Sequence, residues 1–237
     1  RPVAAFLDDA ASEQTLNQLV ESRRLKGFQF IHLATHGVVD LELPQRTAVI
    51  LSQDKLPDPL DQVLRGRPVI DGRVSVREIQ QSWDLDADLV TLSACETAVG
   101  KRERGEGLVG FTQALLMSGA RAVCLSLWKV DDTATALLME RFYCNLLERA
   151  MPRAAALAEA KRWLKALKRE EALALSGKIQ AGVTRGKGRP LRPLAIAARP
   201  VAPAADAKTV EPFTTDPDRP FADPFYWAAF ILIGDPN

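Results

Sequence analysis

Residues Arg121–Trp128 read RAVCLSLW, apolar from Ala122 onward except at Ser126. A run without polar alternation leaves no face for water, so it reads as a strand covered on both sides. Its neighbours agree with that reading. Upstream, Glu106–Met117 carries Leu108, Phe111 and Leu115 at helical spacing and stops before Gly119, a natural residue just past a helix end. Downstream, Thr133–Leu147 and Ala154–Leu175 read as helices, the second with Pro152 near its first turn.

Farther out the alternation repeats. Ala11–Leu25 places Leu16, Leu19 and Val20 at helical spacing and ends before Gly27. Phe28–Ala34 (FQFIHLA) is a short buried strand, Ala48–Leu51 a second apolar run, and Asp88–Ala94 (DLVTLSA) a third strand. Asp58–Asp71, with Pro, Gly and Asp, is expected to be a loop. Ser75–Trp83 is expected to be a short helix, with Ser75 and Glu78 at capping-box spacing. Phe221–Gly234, containing FYWAAFILIG, reads as a last buried strand. Strands alternating with helices predict an α/β domain with a mostly parallel central sheet and helices on both faces.

Ser176–Val210 breaks the pattern. It holds four Gly, four Pro, seven Lys/Arg, one acidic residue and no aromatic, a net charge of +6. Such a stretch buries too little apolar surface to order itself, and is expected to be a flexible insertion within a single domain spanning 1–237. Without aromatic side chains to stack bases, it does not favour a nucleic-acid partner.

The bulk properties exclude several classes. Hydrophobic residues make up 47% of the 237, and the net charge is +1. No apolar run is long enough to span a membrane, and no secretory leader pattern is present. The three cysteines, Cys95, Cys124 and Cys144, have no CxxC spacing, so neither a disulfide framework nor a metal site is expected. That usage fits a reducing, cytoplasmic setting. The start at Arg1-Pro2, without Met, is expected of a processed product or a piece of a longer chain.

Two strand ends carry the candidate chemistry. One runs His32-Leu33-Ala34-Thr35-His36-Gly37, the other Leu92-Ser93-Ala94-Cys95-Glu96-Thr97. In open parallel sheets, ligands bind beyond the carboxyl ends of strands, so neighbouring ends of this kind meet at one crevice. A thiol and an imidazole there suffice for nucleophilic attack, with Cys95 as nucleophile and His36 as acid and base. Gly37 lets a carbonyl approach the backbone, and its N–H with that of Cys95 is a candidate oxyanion hole. Spacing alone leaves open the alternative of an inert buried cysteine, the reading given to Cys124 and Cys144. His32, inside the apolar run, reads as a packing or orienting residue.

A competing motif is Gly105-Glu106-Gly107-Leu108-Val109-Gly110, which matches GxGxxG, with Asp131 and Asp132 about twenty residues on. A charged loop, Lys101-Arg102-Glu103-Arg104, separates it from the preceding strand, and Glu106 would face the pyrophosphate. Dinucleotide binding is not expected, nor is any other cofactor.

Taken together, HLATHG, LSACETAVG, GEGLVGFTQALLMSGARAV, LSLWKVDD and PFYWAAFILIG resemble CHAT domains. These are caspase-like peptidase domains related to separase, often found downstream of TPR repeats in bacterial proteins. The resemblance covers about Gly27 to Gly234 and implies a caspase-like fold. Its catalytic histidine falls on His36 and its nucleophile on Cys95. It further implies a cysteine endopeptidase acting on a protein substrate and governed by an upstream TPR-like region or an activating partner. In separase-like members a carboxylate in a comparable block lines the pocket for a basic residue, which makes Asp131 and Asp132 candidates here. The alternative for the pair is to cap the helix starting near Thr133.

Overall fold

Parallel strands buried on both faces need side chains that alternate between two separate cores, and the ranks of this sheet do so. The computed structural model describes residues 4–40, 42–93, 106–180, 193–197 and 216–237. Among them, β1 (Ala4–Leu7), β2 (Phe30–Ala34), β6 (Leu89–Leu92), β7 (Ala122–Ser126), β8 (Pro193–Ala197) and β9 (Phe230–Gly234) form one sheet, ordered β1-β8-β2-β6-β7-β9. Only β9 runs antiparallel to its neighbour. Ile31, Leu33, Val90, Leu92, Val123 and Leu125 enter one core, shared with α1 (Glu13–Glu21), α3 (Val76–Ser82) and α4 (Glu106–Met117). Leu89, Ala122, Cys124 and Phe230 enter the other, under α5 (Asp132–Leu147) and α6 (Arg153–Ala166).

A smaller antiparallel sheet of β3 (His36–Val38), β4 (Ala48–Ile50) and β5 (Arg73–Ser75) stands beyond the carboxyl end of β2. Its far edge is tied back to α1: the buried Glu13 carboxylate accepts hydrogen bonds from the Gly72 and Asp71 amides at 2.8 and 3.0 Å. The Ser75–Glu78 capping box expected from the sequence is present at the start of α3. Gly119 takes φ +108°, and a Cβ there would lie 2.2 Å from the Leu85 carbonyl oxygen, so only glycine fits this close approach.

Several expectations need correction. Asp58–Asp71 is not all loop: Pro59–Leu64 forms α2, capped by the Asp58 carboxylate on the Leu60 amide at 2.8 Å. Pro at the first helical position and Asp before it are a helix start, which the surrounding turn residues disguise. Ala154–Leu175 is two helices, α6 and α7 (Arg169–Gln180), because Leu167 turns extended to bury its side chain and the Arg169 amide bonds the Asp218 carbonyl. The basic stretch 176–210 is not wholly irregular. Its first residues finish α7, and Pro193–Ala197 is β8, seated between β1 and β2. The short apolar run PLAIA pairs on both edges, which outweighs the polarity around it. Phe221–Gly234 is not one strand, since Asp223 caps the short helix α8 (Pro224–Trp227) ahead of β9.

Candidate active site

The two candidate strand ends belong to adjacent strands. β2 pairs in parallel with β6, with His32 opposite Thr91 and Leu33 opposite Leu92, and the Ser93 amide donates to the Leu33 carbonyl at 3.0 Å. β2 ends at Ala34. At the bend, the buried Thr35 hydroxyl donates to the Ile50 carbonyl, which turns the chain into β3. His36 is therefore the first residue of β3 rather than a loose residue past a strand. It is half-buried and pairs with Ile50, while the buried Gly37 pairs with Val49. Cys95 lies outside the described residues, three positions beyond Leu92 as His36 is three beyond Leu33.

Asp131 and Asp132 follow β7, the strand on the other side of β6, and both are exposed. The Asp131 carboxylate caps α5 by accepting from the Ala134 amide at 2.9 Å, and Asp132 is that helix's first residue. The aspartates thus sit at the same carboxyl edge as His36, one strand away from the end of β6. Together with Asp223, the Asp131 charge adds to desolvation in raising the Tyr226 phenol above its usual range.

The remaining cysteines are placed as the sequence suggested. Cys124 is buried mid-strand opposite Thr91, and burial pushes its thiol up to about 12. Cys144 is half-buried on α5, its thiol raised by desolvation and then by its hydrogen bond to Glu148. Neither is available as a thiolate near neutral pH.

A polar cluster beneath the strand ends escaped the sequence reading. His32 Nε2 is hydrogen-bonded to Ser93 Oγ at 2.8 Å, and the Tyr143 hydroxyl donates to Thr91 Oγ1 at 2.8 Å. The His32 and Tyr143 rings lie 5.7 Å apart, closing the group. Desolvation holds the His32 imidazole down at about 4, so it is neutral at physiological pH. The only signal in the sequence was a histidine inside an apolar strand, four residues before another.

The GxGxxG match does not sit at a strand-to-helix turn: β6 ends at Leu92, and α4 begins at Glu106 inside the motif. Among the described residues, no group of three or more His, Cys, Asp or Glu side chains is arranged to hold a metal ion, and no helix is long and apolar enough to cross a membrane.

Fold and strand-end position together define an α/β protein with a mostly parallel central sheet and with His36, Asp131 and Asp132 along its carboxyl edge. The CHAT domain profile matches residues 2–235, and the chain belongs to the CHAT domain family. A stretch of 76 residues is also 38% identical to tetratricopeptide repeat protein 28 of Mus musculus. It covers 32% of this chain and 3% of that protein.

Proposed function

We propose that this CHAT domain has a caspase-like fold and is a cysteine endopeptidase, with Cys95 as nucleophile and His36 as its acid and base. What supports the reading most is the strand register. Leu33 pairs with Leu92 on adjacent parallel strands, and His36 and Cys95 each follow three residues later in the sequence. In this reading the Cys95 thiolate attacks the scissile carbonyl carbon, and the Gly37 and Cys95 amides receive the developing oxyanion. Protonated His36 gives its proton to the departing amine, leaving a thioester. His36 then takes a proton from water, which attacks the thioester and releases the acid, restoring the thiolate and the protonated His36.

Asp131 and Asp132 are proposed to favour a basic residue before the cut. Their exposure at the carboxyl edge supports this, although one oxygen of Asp131 is engaged in capping. The likeness to a protein named for tetratricopeptide repeats supports a repeat region as the proposed regulator, since such arrays offer concave surfaces to protein ligands. The same likeness favours a second reading, in which the domain is a non-catalytic interaction or signalling module. A single domain over 1–237 acting in the cytoplasm remains part of the proposal.

Comparison of wild type with Cys95→Ala tests it. Wild type is expected to cleave fluorogenic peptides, with Arg before the cut preferred over Leu or Asp, and to generate new protein N-termini in a proteomic comparison. Both signals should vanish in the variant. Equal signals from both proteins would rule out the peptidase and leave the interaction module.

A further inference from the structure

The face of the sheet under α5 and α6 is built like a core yet carries a polar inlay. Along β2 and β6 the register partners are Phe30 with Leu89, Ile31 with Val90 and Leu33 with Leu92, all apolar. The one polar pair is His32 with Thr91. His32 does not bond its register partner. Tyr143 takes Thr91, and the imidazole reaches instead to Ser93, two residues nearer the carboxyl edge. Thr91 is fully buried, Ser93 is 8% exposed and His32 is half-buried, so the contact is largely but not wholly shielded from water. An apolar side chain would fill the same space without the cost of desolvating an imidazole and a hydroxyl. What a satisfied buried pair adds is a single allowed alignment of the groups that make it.

We propose that His32 is a positioning residue for the Cys95–His36 dyad, acting through its hydrogen bond to Ser93 and held in orientation by Tyr143; the proposal rests on the peptidase reading above. The bond joins β2 to Ser93, the residue just past the end of β6. His36 lies four residues beyond His32, and Cys95 two beyond Ser93. A shift of one residue between two strands is about 3.3 Å, more than direct proton transfer between groups that follow them would tolerate. The apolar partners resist slip by packing. The His32–Ser93 bond adds a directional tie across the two strands, and Tyr143 extends it to α5, the helix that begins at Asp131 and Asp132.

Three variants of the full chain test this: His32→Phe, which keeps a ring and loses the bond; Ser93→Ala, which removes the partner; and His32→Gln, whose amide restores a bonding group at a similar reach. Two readouts are taken on protein shown by circular dichroism to be folded. They are steady-state peptide cleavage and the alkylation rate of Cys95 by iodoacetamide, scored at that residue by mass spectrometry. His32→Phe and Ser93→Ala are expected to lower kcat about a hundredfold with KM nearly unchanged, the scale of an ångström-sized misplacement. Alkylation of Cys95 should slow in both, because a thiol separated from His36 is less ionised. His32→Gln should recover most of both signals, and the double variant should be no worse than either single one. Folded variants with kcat and alkylation within about twofold of wild type, or a change confined to KM, would overturn the proposal. If His32→Phe does not fold, Ser93→Ala decides. A wild type that cleaves nothing would remove the peptidase reading alone, and the alkylation rates would still decide whether His32 sets the environment of Cys95.

Discussion

The two faces of the central sheet are built from the same strands to different ends. On one, Ile31, Leu33, Val90, Leu92, Val123 and Leu125 form unbroken apolar ranks against α1, α3 and α4. On the other, the rank His32–Thr91–Cys124 cuts through the apolar set, and Tyr143 from α5 closes over it. The first face stabilises by area alone and tolerates approximate fit. The second gives up some of that area for contacts that have one geometry, and it does so at the last ranks before His36 and Cys95. The difference suggests where stability is made and where aim is made: on opposite sides of a single strand.

Three measurements can break or sharpen that division. The largest effect is expected at Leu33→Ala, which opens a cavity on the apolar face and should cost about 2–5 kcal/mol in urea unfolding. A loss below about 1 kcal/mol would mean that this face is not the main source of stability. Next is acid sensitivity. His32 is held near 4 in the folded chain against 6.5 when exposed, so the unfolded chain takes up the proton first as pH falls. The stability owed to the neutral ring is fully present above pH 6.5 and is lost as pH falls toward 4, on the order of 2 kcal/mol. His32→Gln should flatten that part of the stability–pH curve. A curve parallel to wild type would show that the ring is not desolvated. The smallest effect is expected at Tyr143→Phe, which removes one hydrogen bond to Thr91 and should cost about 1 kcal/mol, with the fold and spectra unchanged. A loss as large as that of Leu33→Ala would erase the distinction between the faces.

Much of this organisation is legible in the residues themselves. AVCLS within RAVCLSLW is β7 with both faces covered, Ser75 and Glu78 do form their box, and HLATHG does run from a strand that neighbours β6, which ends at Leu92. What sequence patterns could not supply were features decided by distant partners. Ala4–Leu7 is too short to declare itself a strand, and PLAIA within a basic stretch becomes one because two other strands accept it. The break between α6 and α7 carries neither Gly nor Pro; the core claims Leu167 and the Asp218 carbonyl claims the next turn. At the site, His32 read only as a packing or orienting residue, because its bond to Ser93 spans sixty-one positions of chain and no local spacing encodes it. Cys95 itself is known only by its place in the sequence.

The seat of β8 also dictates an order of assembly. Among the described residues β1 pairs with β8 alone, Ala4 with Leu194, so it has no edge to join until the segment around residue 194 has been synthesised and threaded in. β2, β6 and β7 can meet first, because less chain separates their pairings, whereas the outer edge closes last and at the cost of the longest loop. A chain halted before β8 would therefore present the open side of β2, the strand that leads to His36, as an unpaired edge ready to capture another strand.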